Sequence, residues 1–272
     1  MSHRRNLLSK YINQYIRYLI PRRQHQKVPN TEDVQTDGTY EQQYYSIWPP
    51  PLVILIMSIL QLIFFIVSIN SGEGSWDKAL IYIPQKRKEV WRYFTYSLVH
   101  IGYPHLILNL VVQLILGLPL EIVHKKWRVL IVYLAGVLAG SLGSTITHPN
   151  NYLYGASAGV YALLVAHIGT IIINWREMTL PGIQLGGFLS IIVFNIIFIL
   201  IDNDDNQQNG PIGHTAHIAG AITGLLVGIY ILKNFDPSTR TKTIFWIGLI
   251  VYIICTCILI CFNIFLSNIL KY

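Results

Sequence analysis

The chain has 272 residues, of which 53% are hydrophobic and only 12% charged, with a formal net charge of +7 and a mean hydropathy of +0.46. Soluble domains carry about 25% charged residues, so this composition excludes an ordinary water-soluble enzyme. The positive balance is not a nucleic-acid signal, because the Lys and Arg residues lie between long uncharged stretches.

Residues 1–50 read as a polar cytoplasmic tail. Leu7-Leu8, Tyr11-Ile12, Tyr15-Ile16 and Leu19 recur there at helical spacing, surrounded by Arg4, Arg5, Lys10, Arg17, Arg22 and Arg23. That pattern predicts an amphipathic helix lying on an anionic membrane surface. Residues 1–31 carry no acid and many Arg, which is also the composition of a mitochondrial transit peptide; the surface helix is the preferred reading. Residues 32–48 read as an acidic linker, and Pro49-Pro50-Pro51 stops any element from running into the first apolar stretch.

Seven stretches follow, at about 51–69, 104–120, 129–147, 153–174, 182–201, 211–232 and 243–268. Each is near the ~20 residues that cross a bilayer as a helix. A helix satisfies its own backbone hydrogen bonds in lipid, so the expected fold class is all-α and polytopic. The first stretch starts too late and runs too long for a signal peptide. Between the first two stretches, residues 70–103 contain Trp76, Tyr82, Trp91, Tyr93, Phe94 and Tyr96. Aromatics at this density favour the headgroup layer, which predicts a partly embedded interfacial loop.

Seven Lys and Arg precede the first stretch. Lys125, Lys126 and Arg128 follow the second, Arg176 the fourth, and Lys233, Arg240 and Lys242 the sixth, whereas Asp202-Asn203-Asp204-Asp205 after the fifth has neither. The positive-inside rule then puts the N-terminus in the cytoplasm and the C-terminus on the far side. Residues 70–103 dissent, with Lys78, Lys86, Arg87, Lys88 and Arg92. Cys255, Cys257 and Cys261 all fall in the last stretch, so redox compartment is unreadable. No zinc-type spacing and no H-E-x-x-H helix occurs. Asp202-x-Asp204-x-Asn206 opens like a calcium loop, but Gln207 and Gly213 replace its Gly and Glu. No metal or cofactor is expected.

Polar residues inside a span are costly and point to function. In the sixth stretch Gly220, Gly224 and Gly228 recur every fourth residue, a small-residue stripe that admits a neighbouring helix. His217 lies three residues before Gly220 and shares its face. In the fourth, Ser157 stands among Gly155, Ala156, Ala158 and Gly159, with Tyr161 one turn on. A hydroxyl and an imidazole are the minimal parts of a nucleophile and its general base. In the second, His105 and Asn109 share a helix face, and both can donate to a developing oxyanion. Taken singly, each feature also fits plain helix packing.

Together the motifs Trp91-Arg92, His100-x4-His105-x3-Asn109-x7-Gly117-x3-Glu121, Gly155-x-Ser157 and Ala216-His217-x2-Gly220-x3-Gly224 resemble the rhomboid intramembrane serine proteases. The similarity runs from about residue 88 to 235, and Gly117–His124 and Gly136–Gly143 look most like the animal secretory-pathway branch. It implies a six-helix core over 51–235 and an additional C-terminal transmembrane helix over 236–272. It also implies a secretory-pathway or plasma-membrane location, in preference to the mitochondrial inner membrane.

By resemblance, Ser157 would be the nucleophile and His217 the base, without an Asp. His105, Asn109 and the Ser157 amide would form the oxyanion hole, Tyr161 would stack under His217, and Gly155 would give the substrate backbone access. His100 would support the site by hydrogen bonding. Trp91, Arg92 and Glu121 would tie the interfacial loop to the bundle, and Gly220 and Gly224 would pack. The family's usual G-x-S-G reads Gly155-Ala156-Ser157-Ala158 here, and a methyl at 158 is expected to bear on the cleft or on the Ser157 amide. Inactive relatives lack the Ser or His, or carry Pro before the Ser; this chain has both residues and Ala156. His167 and His214 match no catalytic position.

The expected activity is intramembrane proteolysis of single-span membrane proteins, releasing their ectodomains. The expected partners are these substrates and membrane lipids, with no nucleic acid and no predicted oligomeric state. A rival reading is an inactive binder that escorts membrane clients. A transporter would show inverted repeats or broken helices in both halves, and no such symmetry is present.

Overall fold

The computed structural model describes residues 50–71, 77–176, 178, 180–205, 214–232 and 239–269. The surface helix and linker read in the tail lie outside these residues, as do Trp76 and Lys233. The fold is all-α: helices α1 (Leu52–Asn70), α2 (Asp77–Leu80), α3 (Arg92–Thr95), α4 (Tyr103–His124), α5 (Lys126–Thr147), α6 (Ser157–Ile173), α7 (Pro181–Asp205), α8 (His214–Ile231) and α9 (Thr239–Ile269) follow in chain order. Four helices are long and apolar enough to cross a membrane, namely α1, α4, α5 and, over Trp246–Asn263, α9; α6 and parts of α7 and α8 are shorter apolar helices. Among the described residues strand pairing is limited to one isolated bridge, Tyr82 to Leu153.

That bridge corrects the fourth predicted stretch. Helix α6 starts at Ser157, not at residue 153, because Leu153 pairs with Tyr82 through N–H···O bonds of 3.0 and 3.2 Å. Gly155 has φ +101°, a left-handed conformation that suits a residue without Cβ. A tight turn also joins α4 to α5, where Lys125 alone connects them at φ 74°.

Helix α6 is gripped from two sides by small residues. A Cβ at Gly220 would strike the Ala158 carbonyl, and one at Gly224 the Ala162 carbonyl. On the other side, a Cβ at Gly136 would meet the Ala162 methyl, and one at Gly140 would come within 2.5 Å of the Ala158 methyl. Gly159 makes room for the Tyr133 ring, which lies 2.6 Å from where its Cβ would stand. The stripe read on the sixth stretch therefore meets Ala158, Ala162 and, at Gly228, Ala166. Close backbone approach of this kind is how helices gain contact in lipid, where burial gives no net hydrophobic drive.

A polar network links α1, α4 and α5. Gln61 donates to Gln113 Oε1 and the Tyr133 hydroxyl at 3.2 and 3.1 Å, and Gln113 donates to Ser58 at 2.8 Å. Gln61, Gln113 and Tyr133 are fully buried, so their mutual bonds remove a large desolvation cost.

The described residues of the 70–103 loop bond both to the loop's own backbone and to residues outside it. Buried Arg92 donates to the Lys78 and Ile81 carbonyls, each at 2.7 Å, and to Glu89 at 2.6 Å. Trp91 donates to Ala79 O at 3.3 Å. This corrects the expected roles of Trp91 and Arg92, which tie the loop to itself. Attachment to the bundle comes from Tyr96, whose hydroxyl donates to Val137 O at 2.8 Å, and from Ser141, which donates to Tyr93 O at 3.0 Å. Arg87 is buried as well, donating to Tyr82 Oη at 3.1 Å and Pro149 O at 2.7 Å. Two of the five dissenting basic residues are thus committed to fixed hydrogen bonds.

Glu121 is also corrected. Its carboxylate accepts the Val53 and Ile54 N–H groups at 2.9 and 3.0 Å. Those donors belong to the first turn of α1, where no intrahelical acceptor exists and the helix dipole favours negative charge. Pro51 precedes them and offers no side-chain cap of its own.

Candidate active site

Ser157 is the first residue of α6 and His217 lies in the first turn of α8. Sixty positions apart in sequence, His217 Nε2 and Ser157 Oγ stand 2.6 Å from one another. That is hydrogen-bond contact between a hydroxyl and a ring nitrogen. Tyr161, one turn along α6, stacks on the His217 ring with centroids 4.7 Å apart and planes 11° from parallel. Among the described residues, no acid joins this pair.

The segment entering α6 is held at two backbone atoms. Gly155 N–H donates to Tyr96 O at 3.1 Å. Ala156 N–H donates to His100 Nε2 at 3.3 Å. Burial, aided by the nearby His105 ring, pushes the His100 imidazole down to about 3. The ring is therefore neutral at physiological pH and keeps a lone pair for the Ala156 amide. Ser157 N–H itself sits at the start of a helix, where backbone donors have no intrahelical partner.

His105 lies against this segment. A Cβ on Gly155 would fall 2.6 Å from His105 Cε1 and 2.8 Å from its Nε2. The vacancy at Gly155 is thus filled by the His105 ring, a different use from the substrate access expected of it. His105 also neighbours His100 and Tyr154, with ring centroids 5.2 and 6.1 Å away. Asn109, buried one turn further along α4, donates one amide hydrogen to His105 O at 2.8 Å. Its amide has a second hydrogen to offer.

Gly220 and Gly224 set the approach of α8 to α6 and so carry His217 to Ser157. His167 is elsewhere: it is buried and stacked on Phe188 of α7, with centroids 4.8 Å apart. Tyr82, Arg87 and Tyr96, which brace the serine segment, carried no individual signal in the sequence. They belonged to an aromatic and basic loop in which composition does not separate buried side chains from exposed ones. Among the described residues no group of three or more His, Cys, Asp or Glu side chains could hold a metal ion.

A family model described as Rhomboid domain matches residues 87–234. Rhomboid-related protein 2 of Mus musculus is 41% identical over 232 residues, covering 80% of this chain and 76% of that protein. Rhomboid-related protein 1 of Caenorhabditis elegans is 35% identical over 229 residues, covering 76% of this chain and 63% of its own length. Inactive rhomboid-related protein 2 of the same organism is 32% identical over 228 residues, covering 80% and 65%. The chain thus spans less than two thirds of the two worm proteins. A domain match over the site-bearing helices, with relatives aligned along most of the sequence, makes this polytopic membrane protein a member of the rhomboid family.

Proposed function

We propose that this chain is an intramembrane serine endopeptidase working by a Ser157–His217 dyad. The observation that carries this reading is the 2.6 Å contact between Ser157 Oγ and His217 Nε2, with Tyr161 stacked beneath the ring. His217 takes the Ser157 proton as the oxygen attacks a peptide carbonyl. The resulting oxyanion is held by the Ser157 amide, His105 and Asn109, preorganised donors of the kind that supply much of the rate enhancement in acyl transfer. The positive end of the α6 dipole adds to them. His217 then protonates the leaving amine, and water resolves the acyl-enzyme by the same general-base route.

Helix α6 has 17 residues and rises about 26 Å at 1.5 Å per residue, short of the ~30 Å hydrocarbon core. Its nucleophile-bearing end therefore has room to sit below one membrane boundary, in a cavity that water enters from the non-cytoplasmic face. The scissile bond must be exposed, and a closed helix hides it. Substrates are accordingly single-span proteins with small or helix-breaking residues near that boundary, and cleavage releases their ectodomains. On this reading the N-terminus is cytoplasmic, the C-terminus is extracytoplasmic, and the protein works in the secretory pathway or at the plasma membrane.

The second reading, a non-catalytic binder of membrane clients, is motivated by the inactive worm relative. Retention of both dyad residues in contact favours the protease. The test is labelling by a fluorophosphonate probe together with shedding of a tagged single-span substrate. Ser157→Ala and His217→Ala each abolish both signals while the protein stays folded. Asn109→Ala slows labelling ~10²–10³-fold, as loss of one oxyanion donor does elsewhere. Shedding that persists in Ser157→Ala removes the mechanism.

A further inference from the structure

Helix α9 lies outside the site, and most of its described side chains are exposed. Its described residues that are not exposed are Gly248, Leu249, Tyr252, Thr256, Leu259 and Asn263, and Gly248 lies against α8, where a Cβ would come 3.1 Å from Leu226 O. From Leu249 onward they are spaced alternately three and four apart, the seam of a left-handed helix pair. Among the described side chains of α9, Asn263 is the one buried residue. Apolar residues in lipid do not prefer one axial position of a helix over another, because the lipid chains are as apolar as the partner helix. A single buried polar residue in such a seam does set the register.

Asn263 has its partner on α5: the one Thr145 hydroxyl hydrogen faces two acceptors, Asn263 Oδ1 and, at 2.7 Å, the Leu142 carbonyl of its own helix. Asn263 Nδ2 donates to Leu259 O at 2.9 Å, and Thr145 is buried. From Thr145, the same turn of α5 reaches α8 on either side of His217. Thr147 Oγ1 donates to Thr215 Oγ1 at 2.9 Å. Two residues before Thr145, a Cβ on Gly143 would lie 3.1 Å from the Ala219 methyl, so the helices touch there. Thr215 and Ala219 stand two positions before and two after His217 in the chain.

We propose that Asn263 is a positioning residue: by bonding Thr145 it sets the register of α9 on α5, and it steadies the end of α5 that holds His217 beside Ser157. The inference rests on the dyad reading above. It makes the seventh span part of the apparatus that sets the rate of serine activation.

The experiment measures fluorophosphonate labelling of the full chain in detergent or liposomes, separating the maximal labelling rate, the probe affinity and the final labelled fraction. Asn263→Leu and the isosteric Thr145→Val are each expected to slow the maximal rate about 3- to 15-fold, the range one interhelical hydrogen bond supports in a membrane. Affinity and labelled fraction stay at wild-type values. Thr145→Ser keeps the hydroxyl and keeps the rate. The Asn263→Leu/Thr145→Val double variant is no slower than the slower single, because both remove the same bond. Single variants at the wild-type rate, multiplying effects in the double, or a fall in labelled fraction in place of rate would each overturn the proposal. A wild-type chain that never labels overturns the protease reading and this inference with it, whereas a labelling wild type with unaffected variants overturns this inference alone.

Discussion

Ala158 shows how one methyl group depends on its neighbour. The family's usual motif places Gly there, and the sequence led us to expect the methyl to bear on the cleft or the serine amide. In the structure Ala158 is buried, and its methyl faces α5 at the point where Gly140 lacks a Cβ. The Ala158 carbonyl faces Gly220. Ala158→Gly should therefore lower stability by about 1–2 kcal/mol, combining a lost buried methyl of ~0.8 kcal/mol with the poorer helix propensity of Gly. Its labelling rate at Ser157 should equal that of wild type. Thermal unfolding in detergent and probe kinetics check both parts; faster labelling would show that the methyl obstructs the cleft.

At the scale of elements, the helices bearing Ser157 and His217 meet where glycines leave no side chain between two backbones. A Cβ at Gly224 would contact the Ala162 carbonyl and come within 2.6 Å of Ala162 Cα, and backbone cannot rotate away as a flexible side chain can. Gly224→Ala should push α8 off α6, at a cost of about 1–3 kcal/mol for overpacking. It should also slow labelling on the order of 10²-fold, since displacing a reacting group by about 1 Å has that effect. Gly186→Ala is the control: nothing lies within 4 Å of its Cβ position on α7. The control should label normally and unfold no earlier than wild type, as Ala favours a helix over Gly.

Across the whole molecule, the two ends of the bundle do different work. Ser157, His217, His105 and the Thr147–Thr215 contact gather at one end, while Glu121 receives the start of α1 at the other. Glu121 is 16 positions along α4 from His105, about 24 Å at the helical rise. Glu121→Ala leaves two N–H groups of α1 without their acceptor, and each buried unpaired group costs about 1–3 kcal/mol. The variant should unfold at lower temperature while its folded fraction labels at the wild-type rate. A specific loss of rate would instead connect α1 to the chemistry.

Much of this architecture was legible in the sequence because a membrane span is a local property. About twenty uncharged residues report a helix wherever they stand, and a helix occurs within each of the seven predicted stretches, the fourth starting late at Ser157. Ser157, His217, His105 and Asn109 also announced themselves, since lipid makes polar residues expensive, whereas Gln61, Gln113, Thr145 and Asn263 in the same stretches did not. What only the tertiary structure decided was which surfaces meet. Spans that are apolar all round carry little amphipathic pattern to mark their inner faces. Nothing local paired Gly220 with Ala158, put the His105 ring in the space at Gly155, gave Glu121 the first turn of α1, or joined Asn263 to Thr145. The start of α6 was likewise set from a distance, by the pairing of Leu153 with Tyr82. The Ser157–His217 distance belongs to the same class. It depends on how closely two backbones approach, and in lipid that is settled by steric fit and hydrogen bonds between helices far apart in the chain.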